Sequence, residues 1–113
     1  HSAQTQAKLQ IMMQYIHDNY SGQITLDDIA RTVLVSKSSV LNIFRTYLHT
    51  SPINYVVEYR LKRASKLLVD TENSVCTIAQ ETGFENIGYF CRRFKKLYGV
   101  TPIYYRNHCH SAE

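Results

Sequence analysis

Apolar side chains recur at steps of three and four along almost the whole chain, the spacing that gathers them on one face of a helix. Leu9, Met12, Met13, Ile16 and Tyr20 predict an amphipathic helix over about 7–20, ended by Ser21-Gly22. Thr25 then stands where a hydroxyl caps a short helix from Leu26 to about Val33, with Asp27 and Asp28 in its first turn, where acids suit the helix dipole. Ser36 is the next expected cap, and Val40, Ile43, Phe44 and Tyr47 form the buried stripe of a helix to about His49. Ser51-Pro52 opens a long fourth helix, proline being tolerated in the first turn. Its inward stripe is Ile53, Val56, Val57, Leu61, Ala64, Leu67 and Leu68. A fifth helix over about 75–82 ends at Gly83, and a sixth over about 86–98 turns Phe90, Phe94 and Leu97 inward, with Gly99 beyond its end. Thr101-Pro102 opens a last helix to about Asn107. No segment alternates as a strand does. The expected fold is all-α with about seven helices.

The pattern also repeats. Ile29-Ala30 returns as Ile78-Ala79, and Leu34 matches Gly83, at an offset of 49. From the third helix onward the offset is 50: Ser36 matches Asn86, Val40 Phe90, Asn42 Arg92, Phe44 Phe94, Arg45 Lys95, Ser51-Pro52 Thr101-Pro102 and Tyr55 Tyr105. The extra residue falls in the turn between helices five and six. Each copy is a short helix, a tight turn, a longer capped helix and a Ser/Thr-Pro helix, which describes a helix-turn-helix. Ala30 and Ala79 let the two helices approach closely, and Gly83 supplies a positive φ in the turn. Leu34 departs from this: it either accepts strain or marks a different turn in the first copy.

Composition narrows the classes. At 113 residues the chain folds as one domain, or as two small subdomains sharing a helix, without metals or disulfides. Nine Tyr and four Phe argue against disorder, and four Gly with two Pro argue against a turn-rich sandwich or barrel. No apolar run approaches the roughly 18 residues of a membrane span. Cys76, Cys91 and Cys109 cannot all pair and lack zinc spacing, which fits a reducing cytoplasm. Cys91 is expected to be a small half-buried side chain and not a redox sensor. His108-Cys109-His110 crowds its ligands too closely for a tetrahedral site. No nucleophile–base pair, phosphate loop or carboxylate dyad occurs, so neither catalysis nor a cofactor is expected. Because the first residue is His1, the chain is expected to be a fragment or processed product, with residues 1–6 an unstructured segment or a vector-derived remnant and 108–113 a tail.

The formal net charge is +4, distributed as +1 over residues 1–50 and +3 over 51–113. Basic side chains cluster over Arg60–Lys66 and at Arg92-Arg93-Phe94-Lys95-Lys96. Clusters of this kind on a modestly basic domain suggest a polyanion partner.

The second half reads Ile78-Ala79, Gly83-Phe84, Phe90-Cys91-Arg92-Arg93-Phe94-Lys95-Lys96, Gly99-Val100-Thr101-Pro102 and Tyr105-Arg106. The first half adds Leu26, Ile29-Ala30, Ser36, Phe44-Arg45 and Ser51-Pro52, and the fourth helix adds Arg60-Leu61, Ala64 and Leu67-Leu68. Over about residues 7–107 this resembles the DNA-binding domain of the AraC/XylS family of bacterial transcription regulators. The resemblance implies two helix-turn-helix subdomains, 7–50 and 71–107, joined by a linker helix over 51–70. It also implies double-stranded DNA as partner, RNA polymerase as a second, and any dimerisation through an N-terminal domain outside this chain.

In such a unit the second helix enters a major groove with its N-terminal part. Ser38, Asn42 and Arg45 share one face of the third helix, flanked by Lys37 and Ser39; Gly88, Arg92 and Lys95 share that of the sixth, flanked by Ile87, Tyr89 and Lys96. Asn suits adenine, Arg suits guanine, and Ile suits a thymine methyl. The candidate base contacts are Ser38, Ser39, Asn42, Asn86, Ile87, Tyr89 and Arg92, and the candidate phosphate contacts are Lys37, Arg45, Lys95 and Lys96. Gly88 offers no side chain. Arg60 is expected either to pair with an acidic residue or to touch DNA. Tyr55 and Tyr105 are expected to pack with a polar tip outward. The rival from another class is a helical protein-interaction module without DNA binding; a single-stranded RNA binder is disfavoured because the tyrosines fall at packing positions.

Overall fold

A computed structural model describes residues 2–108. Among these residues it contains seven α-helices and no strand: α1 Ala3–Asn19, α2 Leu26–Arg31, α3 Lys37–Leu48, α4 Pro52–Asp70, α5 Val75–Glu81, α6 Ile87–Tyr98 and α7 Pro102–His108. The described residues divide into two units, one running to Val57 and the other starting at Glu58. α4 is one continuous helix that contributes its first turns to the first unit and the rest to the second.

Local chemistry explains where the helices begin. Ser2, Thr25, Ser36, Ser74 and Asn86 all hold extended backbone, and each side chain accepts a hydrogen bond from the amide three residues on. At α2 the cap is reciprocal: the Thr25 hydroxyl accepts from the Asp28 amide, and the Asp28 carboxylate accepts from the Thr25 amide. Hydrogen bonding to the carboxylate from the Thr25 backbone first, and from its side chain second, holds the Asp28 carboxyl below its ordinary range, with burial opposing and Arg31 helping. This contribution is therefore complete above the ordinary carboxylate pKa and fades as the pH falls through the lowered value. The cap at Ser2 also corrects an expectation. Residues 3–6, expected to be unstructured, are helical, because Ser2 satisfies the Thr5 amide and starts the helix four residues early.

The two turns that lead into α3 and α6 are built alike. Leu34 and Gly83 both take a positive φ, 57° and 99°. The amide after each returns to the carbonyl five residues back, Val35 to Ala30 at 3.2 Å and Phe84 to Ala79 at 2.9 Å. Leu34 thus accepts the strain that Gly83 avoids, with its side chain 91% exposed. The ends of α3 and α6 repeat the arrangement, with His49 at φ 58° and Gly99 at 81°.

Each unit closes around the second helix of its pair. In the first, Val40 and Phe44 of α3 are wholly buried with Met12 and Ile16 of α1 and Ile29 of α2. Tyr55 meets Phe44 edge-on at 5.7 Å and shares a 2.8 Å hydrogen bond with His17. In the second, Phe90 and Phe94 of α6 are wholly buried, as are Leu61, Ala64 and Ile78. Phe84 meets Phe90 at 5.0 Å, and Tyr105 meets Phe94 edge-on at 5.4 Å. Tyr55 and Tyr105 are packing residues, as their repeat positions imply. Replacing either buried phenylalanine, Phe44 or Phe94, by alanine removes about 3–5 kcal/mol.

Two residues placed in the inward stripes face solvent instead. Ile53 is 47% and Leu97 41% exposed, since each lies at the edge of its stripe, near a helix end where fewer neighbours cover it. His108, assigned to the tail, is the last residue of α7, and its ring stacks on Tyr104 at 4.1 Å; Cys109 and His110 lie outside the described residues. Cys91 is half-buried, while Cys76 is exposed.

Arg106 anchors the second unit. From α7 its guanidinium donates to the carbonyls of Leu68 at 2.9 Å, Thr71 at 3.3 Å and Asn73 at 2.6 Å. These are acceptors at and beyond the C-terminus of α4, where a cation opposes the negative dipole end. Arg106→Ala should destabilise the chain by about 2–3 kcal/mol, and Arg106→Lys should recover less than half of that, because an ammonium cannot span three acceptors. Urea unfolding of the three proteins checks this; equal midpoints for Arg106→Ala and the unaltered chain would refute it.

The turns give a second expectation. A left-handed non-glycine residue costs about 1–2 kcal/mol, and glycine costs roughly 0.5–1 kcal/mol in chain entropy. Leu34→Gly should therefore stabilise by about 0.5–1 kcal/mol, and Gly99→Ala, which meets nothing within 4 Å of its new Cβ, should destabilise by about 1 kcal/mol. Thermal melting distinguishes the two directions, and a lowered midpoint for Leu34→Gly contradicts the strain assigned to that turn.

Candidate nucleic-acid interface

With Val40 and Phe44 turned inward, α3 must present the opposite face to solvent. Ser38, Asn42 and Arg45 are exposed there, together with Lys37. Lys37 Nζ lies 3.8 Å from the Asp27 carboxylate, both side chains more than half exposed. Such a pair contributes little and leaves the ammonium free to exchange partners. Ser39 is half-buried and belongs to the cap: its amide donates to Ser36 Oγ, and its own Oγ accepts from the same hydroxyl.

α6 is arranged the same way around Phe90 and Phe94. Arg92, Lys95 and Lys96 are exposed, as are Ile87 at 43% and Tyr89 at 38%. Asn86 is the N-cap, with its side-chain oxygen accepting from the Tyr89 amide at 2.8 Å, so the cap does not use its amide nitrogen. α6 carries four cationic side chains and no acid, and α3 carries Lys37 and Arg45 with no acid. Lys37 apart, the cations lie from mid-helix onward, Arg45 on α3 and Arg92, Arg93, Lys95 and Lys96 on α6, while Ser38, Ser39, Asn86, Ile87 and Tyr89 bring neutral hydrogen-bonding or apolar groups to the N-terminal turns.

Two features went unread in the sequence. Arg93, half-buried, donates to the Tyr89 hydroxyl at 2.9 Å and lies over its ring at 5.8 Å, so it orients an exposed tyrosine of the interface. The spacing of four between 89 and 93 is the only signal for it. A groove of about 180 Å³ lies beside Arg45, lined by Leu41, His49, Thr50 and Ser51. His49, on its lining, takes the left-handed conformation that turns the chain toward α4, which no local pattern announces.

Arg60 is not on these faces. Burial lowers the pKa of the Arg60 guanidinium and the Glu85 carboxylate opposes that shift, so an acidic group stands near it, as one of the two expected readings requires. Glu85 is the residue by which the second turn exceeds the first. Tyr98, at the end of α6, has its hydroxyl pKa raised by burial, although its 3.2 Å bond to Ser65 Oγ works the other way. Among the described residues no cluster of His, Cys, Asp or Glu could hold a metal ion, and no helix is long and apolar enough to cross a membrane.

Known proteins share this architecture. A family model described as a helix-turn-helix domain matches residues 29–108. The helix-turn-helix-type transcriptional regulator YdeC of Bacillus subtilis is 31% identical over 99 residues, covering 88% of this chain and 34% of its own length. The raffinose operon transcriptional regulatory protein RafR of Pediococcus pentosaceus is 32% identical over 96 residues, covering 85% and 35%. The chain thus spans about a third of the length of the curated relatives it matches. A crystal structure of a transcriptional regulator from Chromobacterium violaceum, described as AraC-type DNA-binding domain-containing, superposes with a TM-score of 0.90 at 30% identity, over 99% of this chain and 100% of that one. The chain belongs to the AraC-type family of helix-turn-helix DNA-binding domains of transcriptional regulators.

Proposed function

We propose that this chain binds double-stranded DNA with sequence specificity, α3 and α6 each entering a major groove, in two successive grooves. The observation that carries the reading is the repeated outward face: residues 38, 42 and 45 and residues 88, 92 and 95 stand opposite buried apolar stripes in register, with cations and no acids on both helices. A protein-interaction module of the same fold has no need of two matching cationic faces.

Roles follow from chemistry. Asn42 suits an adenine edge, Arg92 a guanine edge, and Ile87 a thymine methyl, with Ser38 and Tyr89 beside them. Ser39 and Asn86 both take part in the caps, and each keeps hydrogen-bonding capacity for a base, the Ser39 hydroxyl proton and the Asn86 amide nitrogen. Lys37, Arg45, Lys95 and Lys96 are phosphate contacts, which position the helix without reading sequence. Arg93 holds the Tyr89 ring in place. In the whole regulator, working in the cytoplasm, RNA polymerase is the further partner, and any dimerisation belongs to a domain N-terminal to this one.

Two recognition helices on one chain read two segments of duplex. A single copy should protect an asymmetric site of about 15–20 base pairs in hydroxyl-radical footprinting. A palindromic site that requires two copies would overturn this.

Arg92 and Lys96 should separate cleanly. Arg92→Ala should cost about 1–3 kcal/mol on the preferred site and flatten preference at one base pair. Lys96→Ala should weaken all sequences alike and reduce the salt slope by about one unit. Titrations of specific and scrambled duplexes across a salt series measure both. If Arg92→Ala alters only the salt slope, Arg92 is a phosphate clamp.

A further inference from the structure

Position 88 is the one place on the outward face of α6 that carries no side chain, and the space is not empty. A Cβ built on Gly88 would lie 3.4 Å from Nη1 of Arg92 and 3.2 Å from Oδ1 of Asn86. Side chains on a helix lean toward its N-terminus, so a long residue lies over the residue four positions earlier. Arg92 does this, and its guanidinium comes to the level of the first turn, beside the cap oxygen.

We propose that Gly88 is a specificity-determining residue: by leaving this space open it lets the Arg92 guanidinium lie back over the first turn of α6 and read the base pair that a side chain at 88 would otherwise face. The inference rests on the DNA reading given above. The first unit is built differently. Its corresponding residues are Ser38 and Asn42, and an asparagine is too short to reach back one turn. Ser38 and Asn42 therefore read separate levels of the groove, whereas in α6 one arginine serves both.

The contact distances grade the substitutions. An alanine Cβ at 88 stands at ordinary contact with Nη1 and asks only a small shift of the Asn86 cap. A valine adds two branched atoms with restricted χ1, and these compete with the guanidinium for the same space. Helix propensity does not oppose either change, alanine and valine both ranking above glycine, and thermal melting reads any cost at the Asn86 cap.

The test is selection from a random duplex pool, followed by titration of the consensus and its single-base variants, for the unaltered 113-residue chain, Gly88→Ala, Gly88→Val, Arg92→Ala and the Gly88→Val/Arg92→Ala double variant. Thermal melting confirms that each is folded. Arg92→Ala should reduce discrimination at one base pair by about 5- to 150-fold. Gly88→Val should reduce it at the same base pair, Gly88→Ala should keep it within about twofold, and the double variant should discriminate no worse there than Arg92→Ala alone. Intact discrimination in Gly88→Val, a loss at a different base pair, or a uniform loss across all duplexes overturns the role of Gly88 while leaving DNA binding standing. Enrichment of no sequence by the unaltered chain overturns the DNA reading itself, and this inference with it.

Discussion

Phe44 and Phe94, each wholly buried, set the rotation of α3 and α6 about their own axes. Every residue available to a partner follows from that rotation. A helix has one azimuth at which Val40 and Phe44, or Phe90 and Phe94, both point into the core. A turn of roughly 100° per residue then leaves positions 38, 42 and 45, or 88, 92 and 95, on the far side. Tyr55 and Tyr105 meet these phenylalanines edge-on in their own units, so the same aromatic contact braces both recognition helices. Aromatic pairs of this geometry add about 0.5–1.5 kcal/mol beyond burial, and they also restrict how the ring can tilt.

The angle at which each recognition helix leaves its partner depends on a second element, the left-handed residue in the turn. The two units solve this with different side chains, Leu34 and Gly83, yet with the same amide-to-carbonyl closure. Strain of about 1–2 kcal/mol at Leu34 is small beside the burial of one phenylalanine, so the core wins and the backbone complies. The second unit avoids that strain and instead carries one more residue, Glu85, whose carboxylate sits near the half-buried Arg60. A residue inserted into the turn thus brings a carboxylate toward a half-buried cation on α4.

Most of the architecture was legible along the chain. Helix periodicity, Ser/Thr/Asn caps and Ser/Thr-Pro starts act within one turn, and they located all seven helices to within a few residues. Where boundaries missed, the cause was also local: Ser2 caps α1 four residues early, and α7 runs one residue further. The exposure of Ile53 and Leu97 was not legible, because a stripe pattern cannot say where the neighbouring helix stops covering it. The outward faces of α3 and α6 were readable for the same reason as the core, being its complement.

By itself the sequence determined the element order, the duplication, the caps, the inward stripes and hence the identity of the exposed polar residues, since all of these arise from interactions within three or four positions. Only the tertiary structure decided that Leu34 is left-handed and not part of a different turn, and that Arg106 ties α7 to three carbonyls more than thirty residues away. It also decided that the Arg92 guanidinium occupies the space above Gly88. These depend on where a long, flexible side chain ends, or on a backbone conformation that packing elsewhere enforces. Neither is encoded in the spacing of polar and apolar residues, because a guanidinium is long and can choose among several acceptors until the fold selects them.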